Sequence, residues 1–420
     1  MKNASLSESD PEVQPATGSG ALAGALSVPR GFRFSATIAG IKASGRPDLA
    51  LAEAPHGASA AAVFTRNRLL AAPLVVDRAH LKRSDGRVRA VLVNAGNANC
   101  ATGKAGIEAA ESVCRELGTL LEVSPEFIFP SSTGIIGVPL PAEKIVNALP
   151  SVLAERAESA EALLSFAQAI MTTDLAQKLA VESFKVRNKE VRLAGVAKGS
   201  GMIHPNLATM LVYLFTDLEA SPAELQSVLQ PAVDKSFNCI SVDGDTSTND
   251  TVLLLASGKA GVNLDQAGVR KKFQLALEQA CGSLAEQIVR DGEGAKHLIR
   301  LQIEQAKSTD EARIIARSIA NSPLVKTAWA GCDPNWGRIL SSIGNAGIAL
   351  DPGRISVFIG PYQVCGDGQA MAFDKPAVHL YMTEREYEIR VRLGRGKASL
   401  TYLSCDLTAD YVHINADYST

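Results

Sequence analysis

The segment with the most unusual chemistry runs Lys198-Gly-Ser-Gly-Met-Ile-His-Pro-Asn-Leu-Ala-Thr209-Met-Leu. A Gly- and Pro-containing approach meets an apolar run at the Ala208–Thr209 bond. A threonine hydroxyl is a poor nucleophile unless a base sits beside it. If that bond is cut, Thr209 gains an α-amino group on its own Cα. An α-amine titrates near about 7.7–8.0, so part of it is neutral at physiological pH. It can then act as base for its own Oγ, with no histidine required. A second polar stretch, Pro130-Ser-Ser-Thr133-Gly134-Ile-Ile-Gly137, follows the apolar Phe127-Ile-Phe129. Backbone N–H groups in such a glycine turn can hold the anion of a tetrahedral intermediate. By spacing alone, each segment also reads as plain architecture: Thr209 as the first residue of a strand, and 130–137 as an ordinary turn.

The chain contains no GxSxG, GxxxxGK[ST] or HExxH, and no GxGxxG follows a strand. Its six histidines show no metal-ligand spacing. Asp243-Gly-Asp245 with Asn249-Asp250 lacks the sixth-place glycine and closing glutamate of a calcium loop, so it reads as an acidic turn and no metal is expected. Seven scattered cysteines without a CxxC pair argue against a disulfide framework or zinc ribbon. Lys plus Arg is 42 and Asp plus Glu is 44, giving a net charge of −2, which argues against nucleic-acid or anionic-membrane binding. No apolar run approaches the roughly 18 residues of a membrane span.

The elements that must position this chemistry are of mixed α/β type. Phe32–Ile41 and Arg89–Val93 read as strands, and two alternating runs around Arg187-Asn188-Lys189 as a hairpin. Ile107, Ala110, Val113, Leu117 and Leu121 mark one face of a helix, and a second helix covers about 156–171. Residues 209–217 form an apolar strand. Ser221, Pro222 and Glu224 then make a capping box with proline at the first helical position. Another capped helix begins at Ser308, with Glu311 three residues on. Ile389, Val391 and Leu393 alternate with arginines in a half-exposed strand. The length of 420 residues allows two or three domains. We divide it into a mobile Ser/Gly/Pro/Ala-rich tail at 1–28, segments 29–208 and 209–300, and a smaller C-terminal α/β domain at 301–420. Glu8, Asp10 and Glu12 make the tail too acidic for a mitochondrial transit peptide, so a cytoplasmic protein is expected.

Eight motifs in order resemble the ornithine acetyltransferase family, the ArgJ-type enzymes of arginine biosynthesis. They are Asn94-Ala-Gly-Asn-Ala-Asn99, Ser132-Thr-Gly-Ile-Ile-Gly137, Met171-Thr-Thr-Asp174, Lys198 to Leu211, Asp243-Gly-Asp-Thr-Ser-Thr-Asn-Asp250, Asp291-Gly-Glu-Gly294, Cys332-Asp-Pro-Asn-Trp-Gly-Arg338 and Asn415-Ala-Asp-Tyr418. The resemblance implies a chain that cleaves itself between Ala208 and Thr209 into α and β chains. It implies an α/β fold related to the DmpA-type aminopeptidases and an α2β2 heterotetramer. The implied reaction moves acetyl from N2-acetylornithine to glutamate through an acetyl-threonine. Thr209 would be the nucleophile, and Thr133 and Gly134 the oxyanion hole. Lys198, Glu293, Asn415, Thr420, and Thr172 or its neighbour Thr173 would contact substrate, as would Thr209. The terminal Ser419-Thr420 departs from the basic residue that many members carry before the last threonine. No cofactor is implied, although some members also take acetyl-CoA as donor, which makes it an optional co-substrate. Two rivals predict different behaviour. An N-terminal-threonine aminopeptidase or amidase would pass the acyl group to water. A non-catalytic ligand-binding relative would remain uncut.

Overall fold

The computed structural model describes residues 26–204 and 210–417. Most of the expected 1–28 tail, the Ala208–Thr209 bond and Thr420 therefore lie outside the described residues. The mixed α/β class expected from the sequence is what the chain adopts, as two sheets with helices packed on them.

The first sheet is built from β1 (Arg33–Thr37), β2 (Leu49–Phe64), β3 (Arg87–Asn97), β4 (Ile128–Ile135), β5 (Lys178–Val186), β6 (Lys189–Lys198), β7 (Leu211–Thr216) and β9 (Thr251–Ala256). Its order is β4-β3-β2-β9-β7-β6-β5, with β1 added to β2. The pairs β3/β4 and β7/β9 are parallel, and the remaining pairs are antiparallel. Successive strand residues face opposite sides, which explains the unbroken apolar run of β7. Val212 and Leu214 pack with Leu225, Leu229, Phe273 and Leu284 of helices Pro222–Lys235 and Val269–Arg290. Leu211, Tyr213 and Phe215 face Phe34, Leu163 and Phe166 on the other side. Both faces are buried, so no polar alternation appears.

The second sheet contains β8 (Ile240–Ser241), β10 (Leu298–Ala306), β11 (Ser356–Ile359), β12 (Tyr362–Gly366), β13 (Gln369–Ala370), β14 (Glu386–Arg392) and β15 (Ala398–Cys405), in the order β13-β12-β11-β14-β10-β15-β8. Its core is separate and includes Ile315, Ile319, Trp329, Ile339 and Met382 from four helices. The two-residue strand β8 joins it by pairing with Leu403 and Ser404.

Local signals in the sequence hold at residue level. Ser221 and Glu224 form both halves of the capping box. Ser308 accepts from Glu311 N, while the Glu311 carboxylate takes the N–H of Lys307 instead of its cap. Val186 pairs with Lys189, leaving Arg187 and Asn188 as the hairpin turn, with Arg187 at φ 53°. One local reading differs. The stretch expected as a turn at 130–137 continues as strand β4 to Ile135, because β3 pairs with it as far as Asn97. Lys198, which heads the Gly- and Pro-containing segment in the sequence, is the last residue of strand β6.

Candidate active site

The strand β4 delivers Thr133 and Gly134, and asparagines lock it in place. Ser132 Oγ donates to Asn94 Oδ1 at 2.6 Å, and Asn249 Nδ2 donates to Ala98 O at 2.7 Å and Ser132 O at 2.9 Å. Asn97 Nδ2 reaches the carbonyls of Val138 and Pro139, and Asn97 Oδ1 accepts from Asn99 N. The Asn-rich motif at 94–99 thus works as scaffold. Gly134 has φ +132°, and a Cβ there would meet Gly96 C at 2.3 Å and Asn97 N at 2.5 Å. Only glycine allows the two backbones to come this close.

Lys198, at the end of β6, is 3% exposed, and its Nζ donates to Thr133 Oγ1 at 3.1 Å. Burial lowers its pKa, and Asp174 is the strongest opposing influence. An ammonium only donates, so the Thr133 oxygen accepts here and its own O–H is free to point elsewhere. Burial would raise the Asp174 carboxyl, but Lys198 and Lys178 outweigh it and hold the group at about 2.

One cavity is lined by Thr133, Gly134, Thr172, Thr173, Lys198 and Asn415. The structure therefore brings together residues from four distant stretches of chain. Thr172 and Thr173 both face it, and Thr173 Oγ1 lies 2.7 Å from Ser200 Oγ. Glu293 stands behind this lining. Asn415 Nδ2 donates to its Oε2 at 2.9 Å, its N–H donates to Ser200 O at 3.0 Å, and its carboxylate lies against Gly201, where a Cβ would meet Oε2 at 2.3 Å. The position of Thr209 is outside the described residues. Its chain neighbour Met210 is buried and donates its N–H to Asp250 Oδ1 at 3.0 Å. Leu211 then pairs with Lys198 across β6 and β7. Asp250 is fully buried, burial raises its pKa well above the carboxylate range, and Oδ2 has no hydrogen-bond partner among the described residues.

One cavity residue, Tyr411, and the buried Lys178 beside the site carry no signal in a first reading of the sequence. Tyr411 lines the cavity, and its hydroxyl donates to Asp243 Oδ2 at 3.3 Å. Tyr411 and Asn415 are four apart on helix Ala409–Asp417, so i,i+4 spacing would have paired them. Asp243 accepts the N–H groups of Met202, Ile203 and Asp245, as an acidic turn should. Burial is the main cause that raises its pKa to about 6. Lys178, four residues after Asp174, holds Asp174 at 2.7 Å and Asp291 at 2.6 Å while only 1% of its side chain is exposed.

A buried ammonium, a hydroxyl that accepts from it and a glycine strand edge, gathered around one cavity, define an enzyme for a small polar substrate. The chain belongs to the ArgJ family, whose model matches residues 33–420. The arginine biosynthesis bifunctional protein ArgJ of Methylococcus capsulatus is 44% identical over 394 residues, which is 93% of this chain and 95% of that protein. The protein of the same name from Caldanaerobacter subterraneus is 41% identical over 405 residues, 95% of this chain and 99% of that protein. The crystal structure of the Mycobacterium tuberculosis ornithine acetyltransferase in complex with ornithine is 35% identical and covers 43% of this chain and 94% of that chain, with a TM-score of 0.38.

Proposed function

We propose that the chain is an acetyltransferase of arginine biosynthesis that moves acetyl from N2-acetyl-L-ornithine to L-glutamate through an ester on Thr209. Membership of the ArgJ family and relatives named as bifunctional proteins of arginine biosynthesis support the reaction class. The observation that carries the mechanism is the bond from buried Lys198 to Thr133. It leaves the Thr133 proton available to a second acceptor in the cavity that both residues line.

The steps balance as follows. Thr209 Oγ attacks the acetyl carbonyl, and its proton passes to the α-amine freed by cleavage at Ala208–Thr209. The oxyanion is held by the Thr133 hydroxyl and the Gly134 N–H. When the intermediate collapses, the C–N bond breaks and the same proton goes to the departing ornithine amine. The glutamate amine then attacks the threonine ester and passes one proton through the α-amine to Thr209 Oγ as the C–O bond breaks, which releases N-acetylglutamate and restores Thr209. Lys198, Thr172 or Thr173, Asn415 and Thr420 bind the polar groups of the amino-acid substrates, and Glu293 faces the cationic end of ornithine. Acetyl-CoA serves as a second donor to the same threonine. The two chains assemble as an α2β2 heterotetramer in the cytoplasm. Among the described residues, no helix is long and apolar enough to cross a membrane.

Intact-mass measurement and transfer assays with each donor test this reading together. The expected product is a β chain beginning Thr-Met-Leu-Val-Tyr that transfers acetyl from N2-acetylornithine to glutamate. Thr209→Ala should remain one 44.2 kDa chain without transferase activity. Full activity from an uncut chain would exclude the α-amine as base, and hydrolysis without transfer would make the protein an amidase.

A further inference from the structure

Three segments that carry or directly follow proposed substrate contacts are short loops with little apolar burial of their own. They are 172–176, which follows helix Ala160–Ala169, 199–201 after β6, and 291–294 after helix Val269–Arg290. In the first, Leu175 is 87% exposed, so apolar burial of Leu175 does not hold that loop. The three converge on one buried ion group. Lys178 Nζ donates to Asp174 Oδ1 at 2.7 Å, Asp291 Oδ2 at 2.6 Å and Ala176 O at 3.3 Å, which uses all three of its protons. Both carboxylates also accept backbone N–H groups of these loops. Asp174 accepts from Thr172 N at 3.0 Å and Gly199 N at 2.7 Å, and Asp291 accepts from Leu175 N at 3.1 Å and Ala176 N at 3.4 Å. Two bonds cross-tie the loops at Ser200, one from Glu293 N and one with Thr173 Oγ1.

We propose that Lys178 is a positioning residue, which through Asp174 and Asp291 sets the mutual placement of the loops that bear Thr172 and Thr173, follow Lys198 and bear Glu293. The proposal rests on the reading that this cavity is the acetyl-transfer site. A buried ion group of this kind gives little net stability compared with an apolar replacement of the same volume, but it fixes geometry, and losing one member leaves charges unpaired. Lys178 touches no cavity space itself, since it is absent from the lining. Its effect therefore passes through the loops.

The test uses the self-processed protein and two variants, Lys178→Met and the charge-neutral Lys178→Met/Asp291→Asn. The second removes the Asp291 charge that Lys178 would orphan and leaves Asp174 facing Lys198. Hydrogen exchange read by mass spectrometry should show peptides over 172–176, 199–201 and 291–294 losing protection together, with β7 and β9 unchanged. In both variants kcat/KM should fall about 10²-fold with KM raised for both amino acids, because a displacement of about 1 Å is enough for such a loss. The neutral variant should recover the parent melting temperature without recovering activity, which a purely structural role would not allow. Should neither fold, Asp291→Asn, which keeps an acceptor for Leu175 N, gives the same two readouts in weaker form. Protection lost in one loop only, or a folded variant within about twofold of parental kcat/KM, overturns the proposal. A parent without acetyltransferase activity removes the functional reading instead, while the exchange data still decide the clamp.

Discussion

Replacing Lys198 by methionine tests whether the buried ammonium works through the Thr133 hydroxyl. Methionine fills a similar space without charge. Lys198 donates to Thr133 Oγ1 at 3.1 Å from a position that is 3% exposed. A hydrogen bond to a charged group contributes about 1.5–3 kcal/mol. At 1.4 kcal/mol per tenfold, its loss should lower kcat by about 10- to 100-fold. Thr133→Ala removes the oxyanion donor outright and should cost about 10²–10³ in kcat. If Lys198 acts by fixing that hydroxyl, the double variant should resemble Thr133→Ala alone, with a coupling energy of about 1.5–3 kcal/mol. The fold should tolerate the change, because Asp174 keeps Lys178 at 2.7 Å. The assay is steady-state transfer from N2-acetylornithine to glutamate by the cleaved enzyme. Any separate contact of Lys198 with a substrate carboxylate appears in KM, so kcat isolates the hydroxyl. Losses in kcat that add to within about 0.5 kcal/mol would refute the reasoning, since Lys198 would then act independently of Thr133.

Three other outcomes follow from the same structure. Initial-rate lines for varied glutamate at several acetylornithine concentrations should be parallel, since acetyl rests on the enzyme between substrates; intersecting lines would mean transfer in a ternary complex. Gly134→Ala should lower both melting temperature and activity, the latter by at least about 10²-fold, because its Cβ would meet Gly96 C at 2.3 Å, backbone that cannot rotate away. Gly137→Ala is the control, with φ +83° and nothing within 4 Å of the added carbon, and should cost only about 1–2 kcal/mol of backbone strain with kinetics retained. Finally, Asp174 is held at about 2 in the fold against about 3.9 unfolded. Its contribution, about 2–3 kcal/mol, is full above the unfolded value and is lost as pH falls from about 4 to 2. Asp243, raised to about 6 chiefly by burial, gives the opposite slope between about 4 and 6, outside that window. Urea midpoints measured from pH 2 to 5 should fall in the parent below pH 4 and fall less steeply in Asp174→Asn, the remainder coming from other lowered carboxyls such as Glu286, Glu311 and Glu386; an unchanged fall would assign acid lability to those groups alone.

The sequence by itself determined the mixed α/β class, the capped helices, the hairpin at 187–188 and the set of polar motifs. These depend on neighbours within a few residues: a Ser-x-x-Glu cap satisfies N–H groups three positions away, and alternation reports which side of a strand is buried. The family that its motifs resemble marked Thr133, Gly134, Thr172, Thr173, Lys198 and Asn415, which the fold gathers around one cavity. What remained hidden depends on contacts between distant segments. The stretch after Phe129 resembles a turn because it is polar and ends in glycine, yet β3 makes it a strand. The helix Ala409–Asp417 has no buried residue, so no apolar stripe announced it, although it carries Tyr411 and Asn415 to the cavity. Lys178 opens strand β5 and nothing around it in the sequence sets it apart, until Asp291, 113 residues away, closes on it. An ion pair across that separation leaves no period or spacing in the chain. Only the tertiary structure, by excluding water from the charges and bringing the loops together, decided that this lysine is buried and which groups it binds.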